Sequence, residues 1–75
     1  MLQAGDKVRY QSARGEIIGN VEYVKPTLTA AHTIEPFALI VLERVNGKPQ
    51  ISQRKRTVFM CVNDRHNAMM KLEVI

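Results

Sequence analysis

The sequence predicts an all-β fold, a small barrel of five to six short antiparallel strands with one long loop. Three observations support this fold class. The chain has only 75 residues, which is enough for one hydrophobic core and not for two. Its apolar residues alternate with polar ones over short segments, as they do in half-buried strands. Turn residues recur at the spacing of small barrels and sandwiches.

Two strands are predicted on either side of the polar loop at 11–15. Val8 and Tyr10 share one face of the first strand, because side chains two residues apart in a strand point the same way. The second strand, "GEIIGNVEYV" at 15–24, contains Gly19, which predicts a bend or a β-bulge. Three residues of this strand are expected on one face: Ile17, Val21 and Tyr23.

The segment at 25–36, "KPTLTAAHTIEP", is predicted to be the long loop. It is bracketed by Pro26 and Pro36 and shows no alternation. We expect a connection of about a dozen residues, with at most one helical turn at 29–33 that the Thr29 hydroxyl caps. Because the segment is rather apolar, we expect it to pack on the barrel or on a second subunit.

The segment "FALIVLERV" at 37–45 predicts the strongest strand, and its apolar residues on both faces indicate that both faces are covered. Asn46 and Gly47 come next as a type I′ hairpin pair, because both central positions of that turn need a positive φ. Pro49 has no N–H to donate, so the returning strand is expected at a sheet edge.

Two more strands are expected near the end of the chain, at 57–62 and 70–75. The first is apolar on both faces, whereas the second alternates as a half-buried strand does. The residues between them, at 63–69, begin with the turn-forming pair Asn-Asp and are predicted to form a short helical or 3₁₀ turn.

The stretches "GDKVR" at 5–9 and "GEIIGNVEYV" at 15–24 resemble the opening of SH3-like small barrels of the KOW and Tudor-like kind. The first stretch is very similar to the opening of the hypervariable bacterial Tudor-like family. The resemblance implies one SH3-like β-barrel domain over 1–75, with a second strand that turns the barrel corner and a closing strand that pairs with the first. It implies no particular chemistry.

The size and opening are also similar to those of the plasmid-encoded type II dihydrofolate reductases. Where those proteins line their pore with Val-Gln-Ile-Tyr, this chain has Pro49-Gln50-Ile51-Ser52. The Tyr is missing and Pro49 stands in place of the Val, so the pore segment is matched only in part, and fold alone does not imply activity. We predict that the protein is not an enzyme.

The net charge of +4 is concentrated in one region of the sequence. Between positions 44 and 63 there is no Asp or Glu, and the cations there number five. The rest of the chain holds six cations and seven acids, a balance of −1. The five cations are Arg44, Lys48, Arg54, Lys55 and Arg56.

Clustered Lys and Arg attract phosphate through Coulomb energy and counterion release. We therefore predict a binding module that contacts DNA or RNA non-specifically through its basic hairpin. Arg54, Lys55 and Arg56 are expected to be the main phosphate contacts, with Arg44 and Lys48 in support. Four aromatic residues and no Trp leave few platforms on which bases could stack.

A second interpretation stays open from the sequence. The same cations would protect an edge strand from aggregation, in a protein-interaction or structural adaptor domain that acts as a homo-oligomer. A homodimer or small homo-oligomer is expected in either case, because a domain of this size gains stability by self-association.

No catalytic residue, metal site or cofactor is predicted. His32, Cys61 and His66 fall in three different segments without the paired spacing of metal ligands. The carboxylates are scattered singly, so no pair is set up for general acid–base catalysis.

The expected compartment is the cytoplasm. A single cysteine, Cys61, excludes an internal disulfide framework and fits a reducing environment. The longest apolar run, at 37–42, is far below the roughly 20 residues that span a bilayer. The first residues lack the basic and apolar regions of a secretion signal, so no membrane partner is expected.

Overall fold

One curled antiparallel sheet that forms a half-barrel dominates the protein, in a computed structural model that describes residues 2–50 and 56–75. The all-β fold class and the number of strands predicted from the sequence are confirmed. The elements are β1 (Lys7–Ser12), β2 (Gly15–Leu28), β3 (Ile34–Val45), β4 (Lys48–Pro49), β5 (Thr57–Cys61), α1 (Asp64–Met70) and β6 (Glu73–Val74).

The strand order of the sheet is β4-β3-β2-β1-β6, and β5 also pairs with β3. Since β2 occupies one edge of β3 along its length, β4 and β5 share the other edge, with β4 opposite 44–45 and β5 opposite 37–41. β6 pairs with β1 at Val8 and Arg9. The last strand therefore pairs with the first, as the resemblance to SH3-like barrels implies.

The prediction of a long loop at 25–36 is wrong. β2 continues to Leu28 and β3 begins at Ile34, so the segment is the end of a hairpin. The backbone N–H of Thr29 donates to the carbonyl of Thr33 at 2.9 Å. The Thr29 hydroxyl accepts from the Thr33 N–H at 3.4 Å, so it supports a tight hairpin turn where a helical turn was expected.

The two prolines misled the sequence prediction because they lie directly opposite each other. Pro26 pairs with Pro36 in the β2–β3 ladder. Opposite pairs in an antiparallel ladder alternate between hydrogen-bonded and non-hydrogen-bonded sites. Counting back from the bonded pair Thr29–Thr33, the proline pair occupies a non-hydrogen-bonded site, where the missing N–H groups cost the ladder nothing.

The bulge expected near Gly19 is confirmed, and its extra residue lies on the partner strand. Ile18 pairs with Arg44 and Gly19 with Leu42, so Glu43 has no opposite residue. A Cβ on Gly19 would lie 2.8 Å from the carbonyl oxygen of Val41, which explains why a glycine stands at this close approach of two strands.

A second bulge reverses the face of Tyr23. Val21 pairs with Ile40 and Tyr23 with Leu39, which leaves Glu22 as the extra residue. Ile17 and Val21 are buried as predicted, but Tyr23 is 39% exposed. The prediction that Tyr23 shares their face is therefore wrong, because one inserted residue shifts every later side chain of the strand to the other side of the sheet.

The concave face of the sheet forms the core. Ala38 and Ile40 of β3 are fully buried, while Phe37, Leu39 and Val41 on the opposite face are only half-buried. Within the described residues no second layer covers that outer face, contrary to the expectation for β3. The buried residues of the core are Leu2, Val8, Tyr10, Ile17, Val21, Ala38, Ile40, Leu42 and Val62.

The short helix α1 confirms the helical turn predicted at 63–69. It begins after Asn63, whose side chain accepts a hydrogen bond from the His66 N–H at 2.9 Å, as an N-cap should. Its C-cap is Lys71, which has a φ of 53°. None of its residues is fully buried, and Met70 packs against the edge of the core.

Candidate nucleic-acid interface

The β3–β4 hairpin carries two of the predicted phosphate contacts, Arg44 and Lys48, and both are exposed. Asn46 and Gly47 have φ angles of 52° and 81°, which confirms the predicted turn with two positive-φ residues. Pro49 ends β4, which pairs with β3 alone among the described strands. The predicted edge position of this strand is thus confirmed.

The bulge at Glu43 divides the two cations between the faces of the sheet. Arg44 pairs with Ile18, whereas Lys48 pairs with Val45, which packs against the core. Residues directly opposite each other in a ladder lie on the same face. Arg44 therefore belongs to the outer face of the sheet, and Lys48 lies on the inner side, beyond the end of the core.

Arg56 is the third of the predicted contacts that the structure places. It is exposed, it directly precedes β5, and its carbonyl accepts the Leu42 N–H at 2.9 Å. This bond sets it beside the end of β3, near the hairpin. Arg54 and Lys55, the other two predicted contacts, lie outside the described residues.

Arg14 joins this end of the molecule, although sequence reasoning missed it. The turn between β1 and β2 lies against the β3–β4 hairpin, because the Asn46 N–H donates to the Glu16 carbonyl at 2.6 Å. Arg14 is exposed in that turn. It is thirty positions from Arg44 in the chain, so only the antiparallel pairing of β2 with β3 brings the two together.

None of the four exposed cations at this end of the molecule forms an ion pair with a described residue; they are Arg14, Arg44, Lys48 and Arg56. The ion pairs within 2–50 and 56–75 join Lys7 to Glu43 and Arg9 to Glu73. The hydrogen bonds from Lys7 and then from Asn20 hold the pKa of Glu43 below its ordinary value. The acid closest in sequence to Arg44 thus forms its ion pair with Lys7, and its Coulomb attraction to Arg44 is a smaller effect.

A second surface lies on the outside of the sheet, and we call it the outer aromatic face: Tyr23, Lys25, Phe37, Leu39 and Phe59. Tyr23, Leu39 and Phe59 lie in register across three adjacent strands. The Phe59 ring centroid is 5.1 Å from that of Phe37 and 6.5 Å from that of Tyr23. The Lys25 ammonium is 5.6 Å from the ring centroids of both Tyr23 and Phe59, within cation–π range.

The few aromatic residues of the chain are concentrated on this face. Three of the four aromatic residues gather on it, and Tyr23 and Phe59 are 39% and 43% exposed. The sequence hides the cluster because Tyr23 faces outward only as a result of the bulge at Glu22. The sequence shows that Phe37 and Leu39 are two residues apart in one strand, but it does not show which residues of the neighbouring strands lie beside them.

The third feature is a cavity of about 810 Å³ on the open side of the half-barrel, which we call the seam cavity. Residues 10–14, at the end of β1 and in the turn after it, line one side, and residues 56–58 and Met60 line the other. Among the described strands, β5 pairs only with β3, and β6 leaves residues 10–12 of β1 uncovered. The cavity therefore lies between the edges of β1 and β5 that the other described strands leave free, where the sheet would close if it formed a complete barrel.

The histidines and the cysteine lie apart. His32 is in the β2–β3 turn, His66 in α1 and the free Cys61 at the end of β5. Across the part of the chain that the structure describes, no three His, Cys, Asp or Glu side chains converge on a point where a metal ion could bind.

Within 2–50 and 56–75 the structure contains no helix with the length and apolar character needed to span a bilayer. Comparison with known proteins finds no matching family model, no similar curated protein and no similar solved structure. The class of protein is therefore defined by the fold alone, a small all-β half-barrel with a basic end, and its surfaces are the basis for inferring its function.

Proposed function

We propose that this protein is a small, non-enzymatic binding module that contacts nucleic acid through the basic end of its half-barrel. One observation carries the proposal. Arg44, Lys48 and Arg56 stand exposed on or beside a fixed hairpin turn, and none of them forms an ion pair with a described residue. Arg54 and Lys55 are proposed as further phosphate contacts on the strength of the sequence.

The physical basis is the attraction between clustered cations and the phosphate backbone. Each phosphate that a Lys or Arg neutralises releases condensed counterions. Arginine also donates two parallel hydrogen bonds to phosphate oxygens. Because phosphates are the same in every sequence, contacts of this kind give non-specific binding that weakens as salt rises.

The outer aromatic face supports a preference for single strands. Arg44 lies on the same side of the sheet as Tyr23, Phe37 and Phe59, and Lys25 adds a cation within that face. Unpaired bases stack on exposed aromatic rings, whereas bases within a duplex do not reach them. A single nucleic-acid strand whose phosphates contact Arg44 therefore has these aromatic rings available for stacking of its bases.

The test compares two variants that each lose two positive charges. Arg44→Ser with Lys48→Ser removes cations from the hairpin, and Arg65→Ser with Lys71→Asn removes exposed cations of the helix and its C-terminal cap. We expect the hairpin variant to bind a labelled single-stranded oligonucleotide at low salt about tenfold or more weakly than the native protein, at about 1.5–3 kcal/mol per hydrogen bond to a charged group.

The helix variant should bind nearly as well as the native protein. Equal losses in the two variants would point to net charge alone and would contradict an interface at the hairpin. The triple variant Arg54→Ser, Lys55→Ser, Arg56→Ser, measured in the same way, tests the contacts that the sequence predicts to be strongest. An unchanged affinity in that variant would remove those three residues from the proposal.

The outer aromatic face also favours a second candidate function. Exposed apolar patches on a small domain are typical of interaction sites, and the face would suit a homodimer or an adaptor contact. In that case the cations only guard the edge strand β4. Sedimentation over a range of concentrations decides this point, because a homodimer through this face is lost in Tyr23→Ser and retained in Arg44→Ser.

The proposal also includes the cellular compartment of the protein and its relationship to known small barrels. Cys61 is free, which suits a protein of the cytoplasm, where thiols stay reduced. The half-barrel, with its last strand paired to the first, supports a relationship to SH3-like barrels of the KOW and Tudor-like kind. We propose that relationship as part of the same account.

A further inference from the structure

The seam cavity has the dimensions and the lining of a small-molecule site. Its volume of about 810 Å³ lies within the range of roughly 300–1,000 Å³ that is usual for ligand pockets. Such pockets combine apolar walls with a few polar groups that fix the orientation of the ligand. In the seam cavity, the apolar walls and the polar groups come from different residues.

The apolar wall comes from the open edge of the core. Ile17 and Leu42 are buried beneath the cavity, and Val58, Met60 and Met70 are half-buried and packed against the same core. Two of these five side chains are methionines, which adapt their shape to irregular partners. An apolar body bound here would remove these side chains from water and gain hydrophobic free energy.

The charged rim comes from Arg14 and Arg56, one on each side of the cavity. No Asp or Glu is among the described residues that line it. The turn that carries Arg14 is fixed, because the Ser12 hydroxyl accepts the Arg14 N–H at 3.1 Å and lies 3.2 Å from the Gly15 carbonyl, to which it donates. An anion held at this rim would meet two cations beside an apolar wall, where charge–charge attraction is stronger than in water.

We propose that the seam cavity binds a small amphiphilic anion, with its apolar body on the core residues and its anionic group between Arg14 and Arg56. A cationic amphiphile is disfavoured by the two guanidinium groups. A neutral one leaves them without a partner. This site shares Arg56 with the proposed nucleic-acid interface, but its apolar wall and Arg14 are not part of that proposal, and it holds whether or not the hairpin binds phosphate.

The probe for the test is decanoate, used below the concentration at which it forms micelles. We expect a saturable titration of the isotope-labelled protein, with amide shifts confined to residues 10–14, 56–60 and their neighbours. Decanol and decyltrimethylammonium, which share the alkyl chain but not the negative charge, should bind at least about tenfold more weakly, because neither can accept charge-assisted hydrogen bonds from the two guanidinium groups as a carboxylate does. Equal binding of all three, or shifts elsewhere on the protein, would overturn the proposal.

Two variants and one control locate the site. Arg14→Gln with Arg56→Gln should weaken decanoate binding about tenfold while leaving decanol unchanged, and Arg65→Gln should change neither. Ala13→Trp fills the rim from an exposed turn residue without altering the core, and it should abolish binding of decanoate and decanol while the circular dichroism spectrum stays native. Native affinity in Ala13→Trp would contradict the site.

The nucleic-acid proposal fails separately from this one. Arg54→Ser with Lys55→Ser should reduce oligonucleotide affinity and leave decanoate affinity unchanged. Binding of an acidic extended peptide to the β5 edge, in place of decanoate, would replace the small ligand with a strand partner and would overturn the present proposal.

Discussion

Gly15 lies against the side chain of Asn46, so that a Cβ on Gly15 would be only 2.9 Å from the Asn46 Oδ1. This contact joins the β1–β2 turn to the β3–β4 hairpin. Asn46 is itself held in the positive-φ region, with a φ of 52°. The orientation of the basic end therefore depends on a glycine that carries no functional group.

Gly15→Ala should destabilise the protein and loosen the hairpin. A non-glycine residue at the Gly15 φ of 105° costs about 1–3 kcal/mol of backbone strain, and the contact with Asn46 adds to it. The control is Gly5→Ala, which has a similar φ of 93° but nothing within 4 Å of the added Cβ. Urea unfolding of both variants should show a larger loss in Gly15→Ala, and equal losses would contradict the importance of the Asn46 contact.

Ile40→Ala should be among the most damaging core substitutions. Ile40 is fully buried, and removing such a side chain costs about 2–5 kcal/mol in lost transfer energy and a residual cavity. Ile34→Ala on the same strand is the matched control, because Ile34 is 66% exposed. We expect a large fall in the melting temperature for the first variant only. Similar melting temperatures would place the core elsewhere.

Tyr23→Ser should weaken the binding of single-stranded nucleic acid more than that of a duplex. Stacking of one base on an aromatic ring contributes about 1–3 kcal/mol, or roughly 5- to 150-fold in affinity. Leu28→Ser, which removes another exposed apolar side chain of β2, should change neither affinity. An equal loss for single strands and duplex would show that the outer aromatic face does not contact bases.

Glu43 should give the folded protein part of its acid sensitivity. Its pKa is lowered in the folded state, first by the hydrogen bond from Lys7 and then by that from Asn20. A group whose folded-state pKa is lowered stabilises the protein above its ordinary value of 4.5, and that contribution is lost as the pH falls through the lowered value. Glu43→Gln should therefore lose less stability on acidification than the native protein.

The control for this prediction is Glu22→Gln, because Glu22 is exposed and forms no ion pair with a described residue. On acidification, the free energy of unfolding of Glu22→Gln should decrease as steeply as that of the native protein. A native-like pH dependence in Glu43→Gln would contradict the role given to the Lys7 pair. The effect should also shrink at high salt, because the pair is exposed and its charges are screened.

Local signals in the sequence predicted the parts of the fold that depend on nearest neighbours. The alternation of Val8 and Tyr10 predicted two buried residues, and Asn46-Gly47 predicted a turn with two positive φ angles; both are confirmed. The absence of acids between positions 44 and 63 predicted a basic hairpin, and Arg44 and Lys48 are exposed there.

The register between distant strands could not be predicted from the sequence, and this register determines which side chains lie on each face of the sheet. Glu22 and Glu43 look like ordinary outward residues, yet each is an inserted bulge residue that reverses the face of the residues after it in its strand. Pro26 and Pro36 indicated a loop because their alignment depends on how two distant segments pair. The same pairing brings Arg14 to the basic end, which no spacing in the sequence indicates.

The salt dependence of binding tests the central claim most directly. Three to five phosphate contacts predict that the logarithm of the binding constant for a single strand falls linearly with the logarithm of salt concentration, with a slope of about −2 to −3.5. The triple variant Arg54→Ser, Lys55→Ser, Arg56→Ser should reduce the slope by about 2. No binding at low salt, or a slope that the triple variant leaves unchanged, would contradict the account.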